Sequence, residues 1–291
     1  MKRSQRRLMI IAVFLAVILI VGGIVAAAVA VGTNASVRSG RKSPEDVAGL
    51  MTDVIEAASF EAFECTDDCK KVPASVHKFA HLNNIPANKW PQEMIDLLNR
   101  NPETEDFVLN YPLLKDENFP IDLSDIDYKT SVPHFLQWDK RWGYEPYGDD
   151  NIAIAGCGPT CLSMVYVHLT GDTSMNPKEM AEFSTDYGYC EPGNGSAWAL
   201  IFEGGEILGL YVQEVGLDED LIAKHLQEGR PVIAVMGPGE FTQGGHYIVM
   251  TDYIDGLIKI NDPNSNIRTE KLWNYSDIED QIEGLWAFSK N

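Results

Sequence analysis

The chain has 291 residues, 45% of them hydrophobic and 23% charged, ordinary globular values that exclude a disordered, collagenous or small disulfide-scaffold protein. Residues 1–42 hold seven basic and no acidic side chains, so the remaining 249 carry 16 basic against 43 acidic, a net of about −27. Such a body repels a phosphate backbone, so no nucleic acid is expected as a partner, and the acidity reads as a solvated surface.

In chain order, residues 1–7 form a basic tail containing Lys2, Arg3, Arg6 and Arg7. Residues 8–31, LMIIAVFLAVILIVGGIVAAAVAV, run without a charge. A helix rising about 1.5 Å per residue over that length outspans a hydrocarbon core of about 30 Å. The run predicts a transmembrane helix with the lipid bilayer as partner, and the leading basic cluster predicts a cytoplasmic N-terminus. A cleaved signal peptide is the alternative, because Ala28 to Ala30 offers small residues at a cleavage-like spacing, although signal apolar regions usually span only about 7 to 15 residues. Either way the body is expected outside the cytoplasm.

Residues 32–43, GTNASVRSGRKS, read as a linker. Residues 44–128 read as a helical lead-in: apolar spacing predicts helices over 44–60, 74–82 and 90–99, and NPETEDFVLNYP at 101–112 closes the region with proline punctuation. A mixed domain follows over 129–291. Helices are predicted over 159–170, 177–186, 196–208 and 218–228, the last two ending at Gly209 and Gly229, where a left-handed cap favours glycine. Strands are predicted over 211–215, 231–236, 246–253, 257–261 and 284–289. Helices first and antiparallel-looking strands last is an α+β order.

The segment IAGCGPTCLSMVYVHLTGD at 154–172 predicts a helix buried on most sides, with Pro159 in its first turn and Gly171 at its end. Cys157 sits just before it, where the positive end of the helix dipole favours thiolate, and Gly156 and Gly158 leave room for a substrate backbone. A small buried cysteine in a tight turn fits the segment equally well, so a base has to be found. His168 lies about 16 Å along the same helix, out of reach. His225 belongs to the amphipathic LIAKHLQEGR and reads as solvated, while His77 and His81 lie in the lead-in. His246 opens the strand HYIVMTDY directly after Gly244 and Gly245, where glycines permit close approach. Asp262, in KINDPN, could orient its imidazole, with Asp252 and Asp255 as rivals and His134 as the rival base.

The remaining cysteines have plainer readings. Cys161, one turn into the buried helix, reads as a packed small side chain. Cys65 and Cys69 could form a local disulfide outside the cytoplasm. With His77 and His81 they spell C-x3-C-x7-H-x3-H, whose spacer falls short of the usual zinc-finger spacing of about 12 residues, so neither metal nor other cofactor is expected.

Taken together and in order, NPETEDFVLNYP, VPHFLQWDKRW, GCGPTCLSMV, GGHYIVMTDY and INDP resemble the peptidase C thirty-nine-like group of papain-like cysteine peptidases, over roughly residues 80–291. The group is related to peptidases that process double-glycine leader peptides. The resemblance implies a papain-like α+β fold, with a buried helix carrying the cysteine and an antiparallel sheet carrying histidine and aspartate. It implies Cys157 as nucleophile, His246 as base, Asp262 as orienting acid and Gln137 as oxyanion-hole donor, acting on a peptide or protein through an acyl-enzyme. No transporter or ATP-binding segment is visible, so bacteriocin leader processing is not implied, and Gln137 precedes Cys157 by 20 residues, a longer spacing than in papain. The alternative is a silent module of the same fold that binds peptide or cell-wall ligands. Trp138, Trp142 and Trp198 are candidates for either cleft or core.

Strand register tests the third role. A two-residue turn at Asp255 and Gly256, pairing Ile254 with Leu257, would set Asp262 opposite Val249 on the face away from His246. A three-residue loop pairing Tyr253 with Leu257 would set Asp262 opposite Ile248, on the His246 face. An odd loop or a bulge is therefore expected at this hairpin.

Overall fold

The computed structural model describes residues 72–291. The expected tail, membrane helix, linker and 44–60 helix, together with Cys65 and Cys69, lie outside the described residues. Among the described residues no helix is long and apolar enough to cross a membrane.

The lead-in supplies α1 (Ala74–Leu82), α2 (Gln92–Arg100) and α3 (Glu105–Leu114). Helix α2 buries Met94, Ile95, Leu97 and Leu98 along one face, the spacing of an amphipathic helix. A 3-10 turn, Pro102–Thr104, joins it to α3 and is capped by the Asn101 side chain, which accepts from the Glu103 N–H at 3.1 Å. Pro112 does not end the region as expected; it lies inside α3. A proline there removes the donor that Val108 would receive from four residues on. The Trp90 indole replaces it, donating to the Val108 carbonyl at 2.7 Å from a buried position. These helices share one apolar cluster with Ala153, Ile154, Trp138 and Tyr144, and Phe107 stacks on Tyr144 at 4.1 Å.

Helix α4 (Cys157–Thr170) buries most of its circumference and stops at Gly171, whose φ of 78° is the left-handed cap expected. Helix α5 (Pro177–Asp186) starts under the Asn176 side chain, which accepts from the Lys178 and Glu179 amides. The predicted helix over 196–208 starts later than expected: Gly195–Ser196 pairs with Cys190–Glu191 in a two-residue ladder, and the helix runs from a π turn, Leu200–Gly204, into a last helical turn, Gly205–Ile207, before the left-handed Gly209. Consecutive glycines are poor helix formers, and Gly205 serves close packing instead: a Cβ there would come within 2.9 Å of Val212 and 3.0 Å of Phe288. Helix α6 (Glu219–Gln227) is capped by Asp218, and His225, expected in solvent, is only 7% exposed because it shares a face with Ile222.

One six-stranded sheet completes the domain: β1 (Leu210–Glu214), β2 (Val232–Met236), β3 (His246–Ile254), β4 (Leu257–Asn261), β5 (Leu272–Trp273) and β6 (Ile282–Lys290). The spatial order is β1-β6-β2-β3-β4-β5 and every pair is antiparallel. Alternation splits its side chains between two cores. Ile233, Val235, Tyr247 and Val249 meet α4, while Val232, Ala234, Ile248 and Met250 meet Ile222 and Leu226 of α6. Helix α7 (Asn266–Glu270) follows β4.

The β3–β4 hairpin corrects the expected loop. Asp255 and Gly256 form a two-residue turn with φ of 51° and 84°, and Ile254 pairs with Leu257, the geometry that Asp-Gly favours. The irregularity lies instead inside the strand, where the register shifts between Met250 and Asp252 and leaves Thr251 as the extra residue. Beyond it Val249 pairs with Asn261, so the next step sets Asp262 across from Ile248, on the His246 parity. A bulge at Thr251 thus restores what the tight turn would have lost.

Trp90→Phe should destabilise the protein by about 1–3 kcal/mol, the cost of leaving the Val108 carbonyl buried without a donor. Adding Pro112→Ala, which supplies an intrahelical N–H to that carbonyl, should recover part of the loss. Denaturant midpoints measure both, and a Trp90→Phe midpoint equal to the parent's would remove the assigned role of the indole.

Candidate active site

Cys157 is the first residue of α4 and is half-buried. The first amides of a helix lack intrahelical acceptors, and here the Gly158 N–H and the Tyr247 backbone N–H both point at the thiol sulfur. The flanking glycines do not open space for a substrate, as the sequence suggested. A Cβ on Gly156 would strike the Ile152 side chain and carbonyl at 2.6 Å, and one on Gly158 would strike the Ser196 hydroxyl at 2.7 Å. Their smallness lets the helical turn Ile152–Ala155 and the Ser196 strand close on the start of α4. Ser196 is held in turn by the Tyr147 hydroxyl at 2.6 Å and, through its carbonyl, by the Tyr247 hydroxyl at 2.9 Å. Gly244 and Gly245, by contrast, face open space beside His246.

His246, the first residue of β3, is buried and bridges two partners. Its Nε2 lies 2.8 Å from Asp262 Oδ1, so that nitrogen carries the proton toward the carboxylate. The ring also faces the Cys157 thiol, and each shifts the other's pKa. Asp262, fully buried just past the end of β4, receives the Asn264 amide at 2.8 Å on Oδ1 and the Arg268 Nε on Oδ2. Asp252 and Asp255 sit toward the far end of β3 and at the hairpin turn, and the imidazole bonds neither. His134 is not beside the thiol: its Nε2 donates to the Asp262 backbone carbonyl at 2.7 Å, and burial lowers its pKa.

Burial opposes charge on all three groups, yet their mutual attraction prevails. Burial would lower His246, but the Asp262 carboxylate and the Cys157 thiol raise it to about 10. Burial would raise Cys157, but His246 and the two backbone amides bring it below an ordinary thiol. Asp262, raised by burial, ends below an ordinary carboxylate because of His246 and Arg268. Both shifts favour a thiolate beside an imidazolium over a neutral thiol and imidazole. Cys161, wholly buried, is pushed well above a normal thiol by burial, as its packed position implies.

Gln137 lies against the turn that delivers Cys157. Its Nε2 donates to the Ala153 carbonyl at 2.8 Å, while the Ile154 carbonyl lies at 3.5 Å, so one N–H remains weakly engaged. Its buried Oε1 has no hydrogen-bond partner among the described residues. The tryptophans divide: Trp142 is core, Trp138 donates to the Asn264 carbonyl at 3.1 Å, and Trp198 is 44% exposed against Trp286. Sequence reasoning missed Arg268, although a cation six positions after Asp262 in DPNSNIR was visible, and it missed Asn264.

A Cys–His–Asp line at a helix N-terminus is the geometry of thiol acyl transfer. The profile of the Peptidase_C39 like family matches residues 129–291, more than half of the chain. The chain belongs to the Peptidase_C39 like family. Its helix-then-sheet arrangement is this family's papain-like peptidase fold, and a cysteine peptidase-type function goes with it. Two solved structures are similar. The peptidase domain of Streptococcus ComA, a bi-functional ABC transporter involved in a quorum sensing pathway, is 17% identical, with 47% of this chain and 93% of that chain covered and a TM-score of 0.38. A protein from Bacillus anthracis described as a C39-like peptidase is 16% identical, with 55% of this chain and 95% of that chain covered and a TM-score of 0.38. No curated protein matches the chain.

The charged pair persists between the depressed thiol pKa and the imidazolium value of about 10. Iodoacetamide should therefore alkylate Cys157 at pH 6.5 at least about tenfold faster than an ordinary thiol, which is only about 1% ionised there. Cys190, whose pKa burial raises, should lag behind. Peptide mapping by mass spectrometry reads each site, and a Cys157 rate that rises only above pH 8 would contradict the ion pair.

Proposed function

We propose that the protein is a cysteine peptidase or amidase that works through a Cys157–His246–Asp262 acyl-enzyme, tethered by residues 8–31 with its body outside the cytoplasm. The observation that carries the catalytic reading is a helix-terminal thiol whose pKa is lowered by an imidazole that is itself held at 2.8 Å by a buried carboxylate. A module that only binds ligand has no need of a base beside a thiol.

In this reading the Cys157 sulfur attacks the carbonyl carbon of the scissile amide. The developing oxyanion is met by the Cys157 backbone N–H and by the less engaged N–H of Gln137 Nε2. The His246 imidazolium gives its Nδ1 proton to the leaving amine, and the C–N bond breaks. Water then enters, His246 takes one of its protons as the water oxygen attacks the thioester, and the C–S bond breaks to free the acid product and restore the thiolate beside the imidazolium. Asp262 holds the ring and stabilises its charge without taking the proton. The substrate is a peptide or protein, and the acidic body leaves no role for nucleic acid.

Cys157→Ala should abolish turnover of a fluorogenic peptide pool, whereas Cys161→Ala should cost stability and keep most activity. Gln137→Ala should lower kcat by about 100- to 1000-fold, the usual effect of losing an oxyanion donor. Full activity in folded Cys157→Ala would remove Cys157 as the nucleophile, whereas no turnover by the folded parent would leave the silent binding module as the better reading.

The tethering has its own test. Protease added to intact cells should digest the body and leave the N-terminal segment with the membrane. Digestion only after lysis would place the body inside.

A further inference from the structure

The strand and helix that bear Asp262 are gripped by the lead-in, not by the sheet alone. The Asn101 amide Nδ2 donates to the Asn264 carbonyl at 2.5 Å and meets the Asn264 side-chain oxygen at 3.2 Å. Two residues on, Glu103 Oε1 accepts from the Ser265 hydroxyl, while Oε2 accepts the Asn266 N–H at 2.8 Å and the Ile267 N–H at 3.3 Å. Ser265 caps α7 through the Arg268 N–H at 3.1 Å, and Arg268 carries the guanidinium that holds the second oxygen of Asp262. The Trp138 indole reaches the same Asn264 carbonyl. A single short turn of the lead-in, Asn101 to Thr104, thus fastens residues 264–267, the stretch between Asp262 and Arg268, and none of these contacts involves Cys157.

We propose that Glu103, aided by Asn101, is a positioning residue for Asp262, so that the lead-in from residue 72 is a working part of the site and not a removable inhibitory segment. This rests on the thiol, imidazole and carboxylate reading above. Glu103 touches no reacting atom. It satisfies the exposed amides at the start of α7, which favour a negative charge, and so fixes Ser265, Arg268 and the direction of the Asp262 carboxylate. Loss of that grip lets the carboxylate drift from His246, and a misplacement of about 1 Å at such a site costs on the order of 100-fold.

The test reads the Cys157 thiolate directly and needs no known substrate. The charged or titratable groups around it are His246 from β3, Asp262 from the end of β4, Arg268 from α7, His134 from the preceding loop, Cys161 one turn along α4, Tyr147 and Tyr247 beside the thiol, and Glu103 from the lead-in. Iodoacetamide alkylation of Cys157 is followed by mass spectrometry from pH 4 to 9 in the full chain, in Glu103→Gln, in Asn101→Ala and in His246→Ala. Thermal unfolding confirms the folded fraction of each, and having two variants on separate bonds keeps the result readable where one is unstable. The expected result is that folded Glu103→Gln or Asn101→Ala loses at least about tenfold in rate at pH 6 and shifts its thiolate limb to higher pH, toward His246→Ala. A limb lost in His246→Ala but retained at parental rate and pH in the two lead-in variants overturns this inference alone. A limb absent from the parent and unchanged by His246→Ala overturns the thiolate reading and this inference with it.

Discussion

The Asp262 carboxylate is fully buried, and a charge without water must be met by partners on every lone pair it keeps. Removing one partner from a buried ion pair typically costs about 3–5 kcal/mol, far more than an exposed pair contributes. Here each partner comes from a different element: the imidazole from the start of β3, the guanidinium from α7, and a backbone amide from the corner between them. The backbone is pinned as well, by His134 on the Asp262 carbonyl and by Asn261, whose amide reaches the Val132 and Pro133 carbonyls at 3.0 and 3.2 Å. The loop before Gln137, the hairpin and the lead-in are therefore arranged around one anion.

That arrangement would fail without the irregular strand. Side-chain parity along β3 and β4 is set by their pairing, and a slip of one residue moves a whole face across the sheet. The tight Asp-Gly turn alone gives the wrong parity at the catalytic end. One extra residue at Thr251 corrects it before Met250 pairs with Ile260, so the turn can keep its favoured chemistry while the distant end keeps its function. Bulges near functional sites commonly re-aim a side chain in this way.

These origins explain what the residues disclosed before the structure was known. The α+β order, the helix behind Cys157, the strand opened by His246 and the left-handed glycines follow from local patterning, which the chain states outright. The need for a register shift was legible too, because parity is arithmetic, but its position was not: Thr251 carries no local signal, being an ordinary strand residue. The contributions of Asn101 and Glu103 depend on contacts across as many as 164 positions, which no window of sequence contains, whereas Arg268 lies six positions from Asp262 and was overlooked. Gly156 and Gly158 were misread for a related reason. Glycine signals close approach without saying what approaches, and here it is Ile152 and Ser196 of the same chain.

Sharing Asp262 between two cations also shapes the chemistry. Arg268 places a second cation beside the carboxylate and, with His246, lowers its pKa, which favours Asp262 as an anion when the imidazole gives up its proton. The same guanidinium field works against the imidazolium, partly offsetting the attraction that raises its pKa. Residual attraction still leaves His246 at about 10, high enough to keep the proton while the thiolate waits, and transfer to a leaving amine becomes favourable once bond formation at sulfur removes the thiolate charge that had helped to hold it.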